Sequence, residues 1–265
     1  MSGAPELPLG IPFGSSPSFT ELIGHARREA LPALLTDAPF PVPHGTTVLG
    51  LKFDGGMLMA GDRRATAGNL IADAKMRKVF PADDYSAIAI AGVAGQAIEM
   101  VKLFQLELEH YEKITGDRLS LEGKANRLAQ MIRGNFPLAM QGLIVVPLFG
   151  GYDHRRNEGR IFYYDATGGR WEEDDYQATG SGSQPAKNSL KKRWKAGLTR
   201  DDALRVAAEA LIDAAEDDSA TGGPDVARGI WPVMVIVTAE GATDVAEADV
   251  SAAVEAVIAA RRDAS

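Results

Sequence analysis

Thr46 is the residue whose setting points most directly to chemistry. It follows Gly45 and opens the β-branched run Thr46-Thr47-Val48 after a Pro-rich segment. If the peptide bond between Gly45 and Thr46 is cut, Thr46 carries both a hydroxyl and a free α-amine. A hydroxyl and an adjacent base are the two groups that an N-terminal-threonine hydrolase needs. A Thr after Gly at the start of a strand is also a common structural arrangement, so the downstream residues must decide between the two interpretations.

Two charged residues are candidates for tuning that amine. A free α-amine has a reference pKa of about 7.7–8.0, and a nearby cation lowers it further. Lys78 could supply the cation. Asp62 follows Gly61 and precedes two arginines, and its carboxylate could keep a buried lysine in its charged form. The alternative for each is ordinary: Lys78 as a solvated lysine among basic neighbours, and Asp62 as a turn or surface-pair residue.

Composition excludes several other classes of protein. The chain has 265 residues, 45% of them hydrophobic and 24% charged, and a net charge of -8, which argues against a nucleic-acid or anionic-membrane surface. It contains no cysteine, and its four histidines show no metal-ligand spacing, so we expect no metal site and no cofactor. No membrane span or signal peptide is recognisable, so we expect a cytoplasmic protein.

Residues 1–45 differ in character from the rest. They hold eight of the fourteen prolines, and a short helix is expected after Ser18, ending near Pro32. The extended Pro-rich stretch before Gly45 should keep the bond to Thr46 accessible. The alternative interpretation of this segment is a disordered or docking arm.

From Thr46 onwards, the hydrophobic pattern predicts strands first, then two helices, then strands, a helix, a strand and a closing helix. Helices grouped in this way favour antiparallel sheets with helices outside them, and not a doubly wound parallel sheet. We therefore predict an α+β fold, a four-layer αββα sandwich. The predicted strands are 47–53, 57–62, 86–92, 143–150, 160–165, 175–181 and 231–238, and the predicted helices are 96–114, 121–136, 199–217 and 251–262.

Several short motifs follow one another along the chain. They are Gly61-Asp62-Arg63-Arg64-Ala65-Thr66, the strand with Lys78, Ala91-Gly92, Gly180-Ser181-Gly182-Ser183 and Asp218-Ser219-Ala220-Thr221-Gly222-Gly223. Their order and spacings resemble those of the β subunits of the core proteasome. The resemblance covers nearly all of residues 46–265 and implies the N-terminal nucleophile hydrolase fold. Within that family, the Pro-rich leader, residues 107–113 and residues 217–225 are most similar to the actinobacterial type.

The resemblance implies a role for each site residue. Residues 1–45 become a self-removed propeptide, Thr46 the nucleophile, Lys78 the lysine that tunes its amine, and Asp62 the carboxylate that fixes Lys78. Gly92 matches the glycine whose N–H faces the oxyanion, while Ser181, Asp218 and Thr221 match the polar group near the amine. The family commonly has Ser where this chain has Thr221. Locally, the GSGS stretch also fits a flexible turn, and Gly222-Gly223 a helix C-cap.

The resemblance also implies a substrate-binding set and a preference. The residues carried over are uncharged, so we expect apolar or aromatic residues before the cleaved bond, a chymotrypsin-like preference. Thr66, Gly92 and Ala94 would offer backbone groups to an extended substrate. The pocket residues are Ala65, Met76, Ile90 and Ala94.

The implied partners are other β subunits in heptameric rings stacked as two, rings of α subunits, an ATP-driven unfoldase acting through the α rings, and unfolded protein substrates. Two other functions remain open. A non-proteasomal N-terminal nucleophile amidohydrolase would share the fold and Thr46. A catalytically silent ring subunit would normally have lost Thr46, Lys78 or Asp62.

Overall fold

The computed structural model describes residues 45–263. The strands are β1 (Thr47–Phe53), β2 (Gly56–Gly61), β3 (Ala65–Ala67), β4 (Leu70–Asp73), β5 (Val79–Asp83), β6 (Ser86–Gly92), β7 (Val145–Asp153), β8 (Glu158–Tyr164), β9 (Arg170–Glu173), β10 (Tyr176–Gly180), β11 (Val233–Thr238) and β12 (Gly241–Asp244). The helices are α1 (Ala94–Thr115), α2 (Leu121–Gly134), α3 (Phe136–Ala139), α4 (Ser183–Arg193), α5 (Arg200–Asp217) and α6 (Glu247–Asp263). The helix predicted after Ser18 lies outside the described residues.

Ten of the twelve strands in the described residues form two five-stranded antiparallel sheets. One has the order β10-β1-β2-β11-β12 and the other the order β5-β6-β7-β8-β9. The short strands β3 and β4 form a separate hairpin. In the first sheet, β1 lies between β10 and β2, so the segments that follow β2 and β10 both meet the start of β1.

Apolar side chains within residues 45–263 form three clusters, one for each interface between layers. Leu49 of β1 packs with helices α4, α5 and α6 in the first cluster. Val48, on the opposite face of β1, packs with Ala89 of β6 between the two sheets. Ile88 of β6 packs with Phe104 of α1 in the third cluster, under α1 and α2. The alternation of side chains along β1 and β6 thus produces the predicted four-layer αββα sandwich.

The helix boundaries follow local signals in the sequence. The Thr199 hydroxyl accepts a hydrogen bond from the Asp202 N–H at 3.2 Å and caps α5, close to the predicted start of this helix at residue 199. The closing helix α6 begins at Glu247, four residues before the predicted start, and Glu247 and Asp249 place negative charge in its first turn. Helix α5 ends at Asp217, so the interpretation of Gly222-Gly223 as its C-cap is wrong.

The short strands β3, β4, β9 and β12 were not predicted, because three or four residues are too few to show a strand period. Helix α4 is absent from the predicted helices. Lys191, Lys192 and Arg193 form its last turn, where positive charge complements the helix dipole.

Candidate active site

Thr46 lies directly before β1, and its hydroxyl faces the peptide bond that precedes it. The hydroxyl donates a hydrogen bond to the carbonyl oxygen of Gly45 at 2.6 Å. The Thr46 carbonyl accepts the Ser181 N–H at 2.9 Å, which fixes the backbone at this point. Thr46 is only 7% exposed. The Thr46 hydroxyl is therefore held against the carbonyl group of the Gly45–Thr46 peptide bond.

Lys78 lies one residue before β5 and points to the same carbonyl. Its Nζ donates to the Gly45 carbonyl oxygen at 3.2 Å, to the Arg64 carbonyl oxygen at 2.5 Å and to Oδ1 of Asp62 at 2.7 Å. Lys78 is 1% exposed, so its interpretation as a solvated surface lysine is wrong. Burial lowers the pKa of the Lys78 ammonium below its ordinary value, and the Asp62 carboxylate opposes this effect only in part.

Asp62 is buried and uses both carboxylate oxygens. Oδ1 accepts from Lys78 and from the Thr47 N–H at 2.9 Å. Oδ2 accepts the N–H groups of Arg64 and Gly222, each at 2.9 Å. The antiparallel pairing of β1 with β2 places Asp62 beside Thr47, since Val48 is paired with Gly61. Asp62 is therefore neither a surface-pair residue nor a simple turn residue.

Ser181, Asp218 and Thr221 form a second polar cluster on the other side of Thr46. Oδ2 of Asp218 accepts the Ser181 hydroxyl at 2.5 Å and the Thr221 hydroxyl at 2.6 Å. The Thr46 N–H donates to Oγ of Ser181 at 3.4 Å. Burial raises the pKa of Asp218, but hydrogen bonds from Ser181, Thr221 and the Ala220 N–H, with the charge of Lys78, lower it more. The net pKa is below the ordinary value, which keeps Asp218 ionised.

Two glycines near Thr46 have positive φ and allow a close approach to another stretch of backbone. Gly180 has φ +104°, and a Cβ there would lie 1.9 Å from the Thr46 carbonyl oxygen. Gly92 has φ +120°, and a Cβ there would lie 2.1 Å from the carbonyl oxygen of Ile144. Any other residue at these positions would combine backbone strain with overlap. Both glycines line an open pocket of about 220 Å³ together with Thr46.

The residues that the family resemblance assigned to substrate binding are more widely spread over the structure than the polar residues around Thr46. Ala65 and Thr66 lie in β3, each 8% exposed, and Met76 is half-buried before β5. Ile90 packs in the cluster under α1 and α2, and Ala94 is the first residue of α1. The pocket beside Thr46 is lined instead by other residues, among them the apolar Ala91, Ile144 and Val146. The five substrate-binding assignments stay predictions.

Sequence reasoning missed Thr47 and Gly182. The Thr47 hydroxyl is 2.6 Å from the Thr221 hydroxyl, and a Cβ on Gly182 would lie 2.4 Å from it. The pairing of the first two strands could have indicated Thr47, because it brings that residue beside Asp62. Within residues 45–263, no group of three or more His, Asp or Glu side chains is arranged to hold a metal ion.

Comparison with known proteins gives the chain its family. The family model described as Proteasome subunit matches residues 42–227, a range that contains every candidate site residue. The chain belongs to the proteasome subunit family. A proteasome subunit beta from Streptomyces griseus subsp. griseus is 57% identical over 239 residues, covering 89% of this chain and 85% of the relative. The predicted resemblance to bacterial core proteasome β subunits is confirmed.

Membership of the proteasome family supports two coarse statements about function. The chain is a subunit of an assembly built with other proteasome subunits, and its role is that of a peptidase. The αββα sandwich agrees with the fold expected for the family. In the described part of the chain, no helix has the length and apolar character needed to cross a bilayer.

Proposed function

We propose that the chain is the catalytic β subunit of the core proteasome, an N-terminal threonine endopeptidase made as an inactive precursor. One observation carries the proposal: the Thr46 hydroxyl is 2.6 Å from the Gly45 carbonyl oxygen, and Lys78 Nζ is 3.2 Å from the same oxygen. A nucleophile and a cation therefore converge on one peptide bond.

Self-cleavage starts when the Thr46 hydroxyl oxygen attacks the carbonyl carbon of Gly45. A C–O bond forms, the C–N bond to Thr46 breaks, and the hydroxyl proton ends on the Thr46 nitrogen. Water then hydrolyses the ester, which restores the hydroxyl and releases residues 1–45 with a carboxylate on Gly45. Enforced proximity favours the first step, and the Lys78 ammonium stabilises the negative charge that develops on the carbonyl oxygen.

In the mature enzyme, the freed Thr46 amine acts as base for the Thr46 hydroxyl. The positive charge of Lys78 lowers the pKa of the amine, and Asp62 holds Lys78 in place. Gly92 supplies the backbone N–H for the oxyanion of the substrate. Before cleavage the Thr46 nitrogen is an amide and has no basic lone pair, so the precursor is a zymogen.

The substrates proposed are unfolded proteins, cut to peptides after apolar residues. Ala65, Met76, Ile90 and Ala94 receive the side chain before the cleaved bond, while Thr66, Gly92 and Ala94 bind the substrate backbone. Support comes from the composition of this set, because none of the four side chains that receive the substrate residue is charged. A charged substrate side chain would be desolvated there without a partner.

The proposed assembly has two stacked heptameric β rings between α rings, with an ATP-dependent unfoldase delivering substrates in the cytoplasm. Closed rings of identical subunits are a common form of homo-oligomer. The alternative of a non-proteasomal amidohydrolase has no support from the family match.

Peptide hydrolysis by three chains tests the proposal: the wild type, Thr46→Ala and Thr46→Ser, each co-expressed with the α subunit. We expect turnover of apolar fluorogenic peptides by the wild type, reduced turnover by Thr46→Ser, which keeps a hydroxyl, and none by Thr46→Ala. Equal turnover by the wild type and Thr46→Ala would contradict the threonine mechanism. No turnover by any fully assembled particle would favour the silent ring subunit.

A further inference from the structure

Thr47 is hydrogen-bonded to both polar clusters of the site. Its backbone N–H donates to Oδ1 of Asp62 at 2.9 Å, on the side of Lys78. Its side-chain hydroxyl is 2.6 Å from the Thr221 hydroxyl, on the side of Asp218. Thr47 is fully buried, and so is Thr221. The residue next to the nucleophile therefore joins two groups that otherwise approach Thr46 from different loops.

The protons in the second cluster have a single consistent arrangement. Asp218 is an ionised acceptor, so the one proton of the Thr221 hydroxyl and that of the Ser181 hydroxyl both point to its Oδ2. With its proton used in this way, Thr221 can only accept from Thr47, and the Thr47 hydroxyl must be the donor. Ser181 likewise can only accept from the Thr46 nitrogen.

The result is a directed chain of hydrogen bonds. Thr47 donates to Thr221, Thr221 donates to Asp218, and on the other side Thr46 donates to Ser181, which donates to Asp218. Chains of this kind strengthen each bond by polarisation. Because Ser181 accepts from the Thr46 nitrogen, it leaves the lone pair of the freed amine unengaged.

The chain of hydrogen bonds has room only because residue 182 is a glycine. A Cβ at this position would lie 2.4 Å from the Thr47 hydroxyl oxygen, 2.7 Å from that of Thr221 and 3.2 Å from Oδ2 of Asp218. The φ of Gly182 is -88°, which other residues adopt without strain. A substitution of Gly182 by Ala would therefore displace the Thr47 and Thr221 hydroxyls by overlap, without strain at φ.

We propose that Thr47 is a positioning residue: its hydroxyl donates to Thr221 and so supports, through Thr221 and Asp218, the hydrogen bonds that orient Ser181 and the Thr46 amine. This inference rests on the proposed function, because the amine acts as base only in the mature threonine peptidase. Thr47 itself does not touch the reacting atoms except through the backbone.

The test uses assembled particles with the α subunit and compares Thr47→Val, which keeps the shape and loses the hydroxyl, with Thr47→Ser, which keeps the hydroxyl. Loss of one buried hydrogen bond of this type is expected to lower kcat for peptide hydrolysis about five- to tenfold, with KM within about twofold. Thr47→Ser should restore kcat to within about twofold of the wild type. Gly182→Ala should lower kcat at least as much as Thr47→Val.

Coupling gives a readout that loss of packing alone would not change. If Thr47 acts through Thr221, the double variant Thr47→Val with Thr221→Val should lose no more kcat than the worse single variant. Ser86→Ala is the matched control, since Ser86 is fully buried and its hydroxyl donates to Asp83 at 2.6 Å in the other sheet. We expect this control to keep the wild-type kcat.

The outcomes separate the two proposals. A wild-type particle that neither removes residues 1–45 nor cuts peptides would overturn the proposed function itself. An active wild type with full kcat in Thr47→Val would overturn only the role of Thr47. So would equal losses in Thr47→Val and Thr47→Ser, or additive losses in the double variant. If Thr47→Val fails to assemble, Gly182→Ala decides, and full kcat in that variant overturns the proposal.

Discussion

The Lys78 ammonium and the Asp62 carboxylate lie 2.7 Å apart, and each side chain is at most 1% exposed. A buried ion pair of this kind rarely adds net stability, because desolvation of the two charges offsets their attraction. Here the ammonium also donates to the Gly45 carbonyl oxygen. Its position at the bond proposed for cleavage gives the pair a catalytic reason to be retained.

Lys78→Met should abolish self-cleavage and lower peptide hydrolysis by at least about a hundredfold, because the charge facing the Gly45 carbonyl is lost. It should also destabilise the chain by about 3–5 kcal/mol, since Asp62 is left buried and unpaired. Intact mass and urea unfolding of the full-length chain measure the two effects.

Lys124→Met is the control for that loss of stability. Lys124 is 4% exposed and is paired with Asp83 at 2.5 Å, away from Thr46. We expect this variant to lose stability by up to about 3 kcal/mol and to process normally. If Lys124→Met blocks processing as strongly as Lys78→Met, the effect of Lys78 is one of folding and not of chemistry.

Gly45→Ala should slow self-cleavage about tenfold or more, because the added methyl has no room. A Cβ on Gly45 would lie 2.6 Å from the Thr66 hydroxyl oxygen and 2.7 Å from the Ala220 carbonyl oxygen. Because residue 45 is removed, the processed fraction should show the wild-type kcat per active site. A time course of intact mass after assembly measures the processing rate.

Gly95→Ala is the matched control, since a Cβ there meets nothing within 4 Å and the residue lies in α1. We expect normal processing and a gain in stability of up to about 1 kcal/mol from the better helix former. Normal processing by Gly45→Ala as well would show that the scissile bond is not held as tightly as its contacts indicate.

Asp218 should give the precursor an acid-sensitive contribution to stability. Despite the opposing effect of burial, hydrogen bonds from Ser181 and Thr221 hold the pKa of Asp218 below its ordinary value of 3.8. A carboxyl whose folded-state pKa is depressed stabilises the fold above its unfolded-state pKa, and that contribution is lost as pH falls through the folded-state pKa.

We therefore compare unfolding of the Thr46→Ala precursor with and without Asp218→Asn. The difference in unfolding free energy should be constant above about pH 5 and should shrink below about pH 3.8, where the wild-type carboxylate takes up its proton. A difference that is independent of pH down to about pH 3 would mean that Asp218 keeps an ordinary pKa.

Substrate preference tests the proposed pocket. Peptides with an apolar or aromatic residue before the cleaved bond should have the highest kcat/KM, because the residues assigned to the pocket offer no partner for a buried charge. A fluorogenic panel that differs only at this residue measures the preference. Faster cleavage after acidic or basic residues would reject the assignment of Ala65, Met76, Ile90 and Ala94.

The fold could be predicted from the sequence where the elements are long and regular. Strands β1 and β6 have the predicted bounds. In both, the side-chain type alternates along the strand, and glycine or charged residues lie near the ends. The hairpin β3-β4 could not be predicted. Leu70 and Ile71 are 74% and 58% exposed, so its apolar residues do not mark a buried face.

The site was predictable in part. The motif around Asp62 and the position of Lys78 identified both residues as candidates. Whether they are catalytic depended on their burial, and the basic neighbours Arg63, Arg64 and Arg77 made surface positions equally plausible. Thr47 was not predicted as a site residue because its role depends on contacts with Asp62 and Thr221, which lie 15 and 174 residues away in sequence. Only the paired strands and the loop after α5 bring these groups together.

Intact mass of the chain after co-expression with the α subunit, beside Thr46→Ala, tests the central claim most directly. The account predicts that the wild type loses residues 1–45 and begins at Thr46, while Thr46→Ala keeps the full chain of 265 residues. Removal of the same segment from both chains, or from neither in a fully assembled particle, would contradict self-cleavage by Thr46.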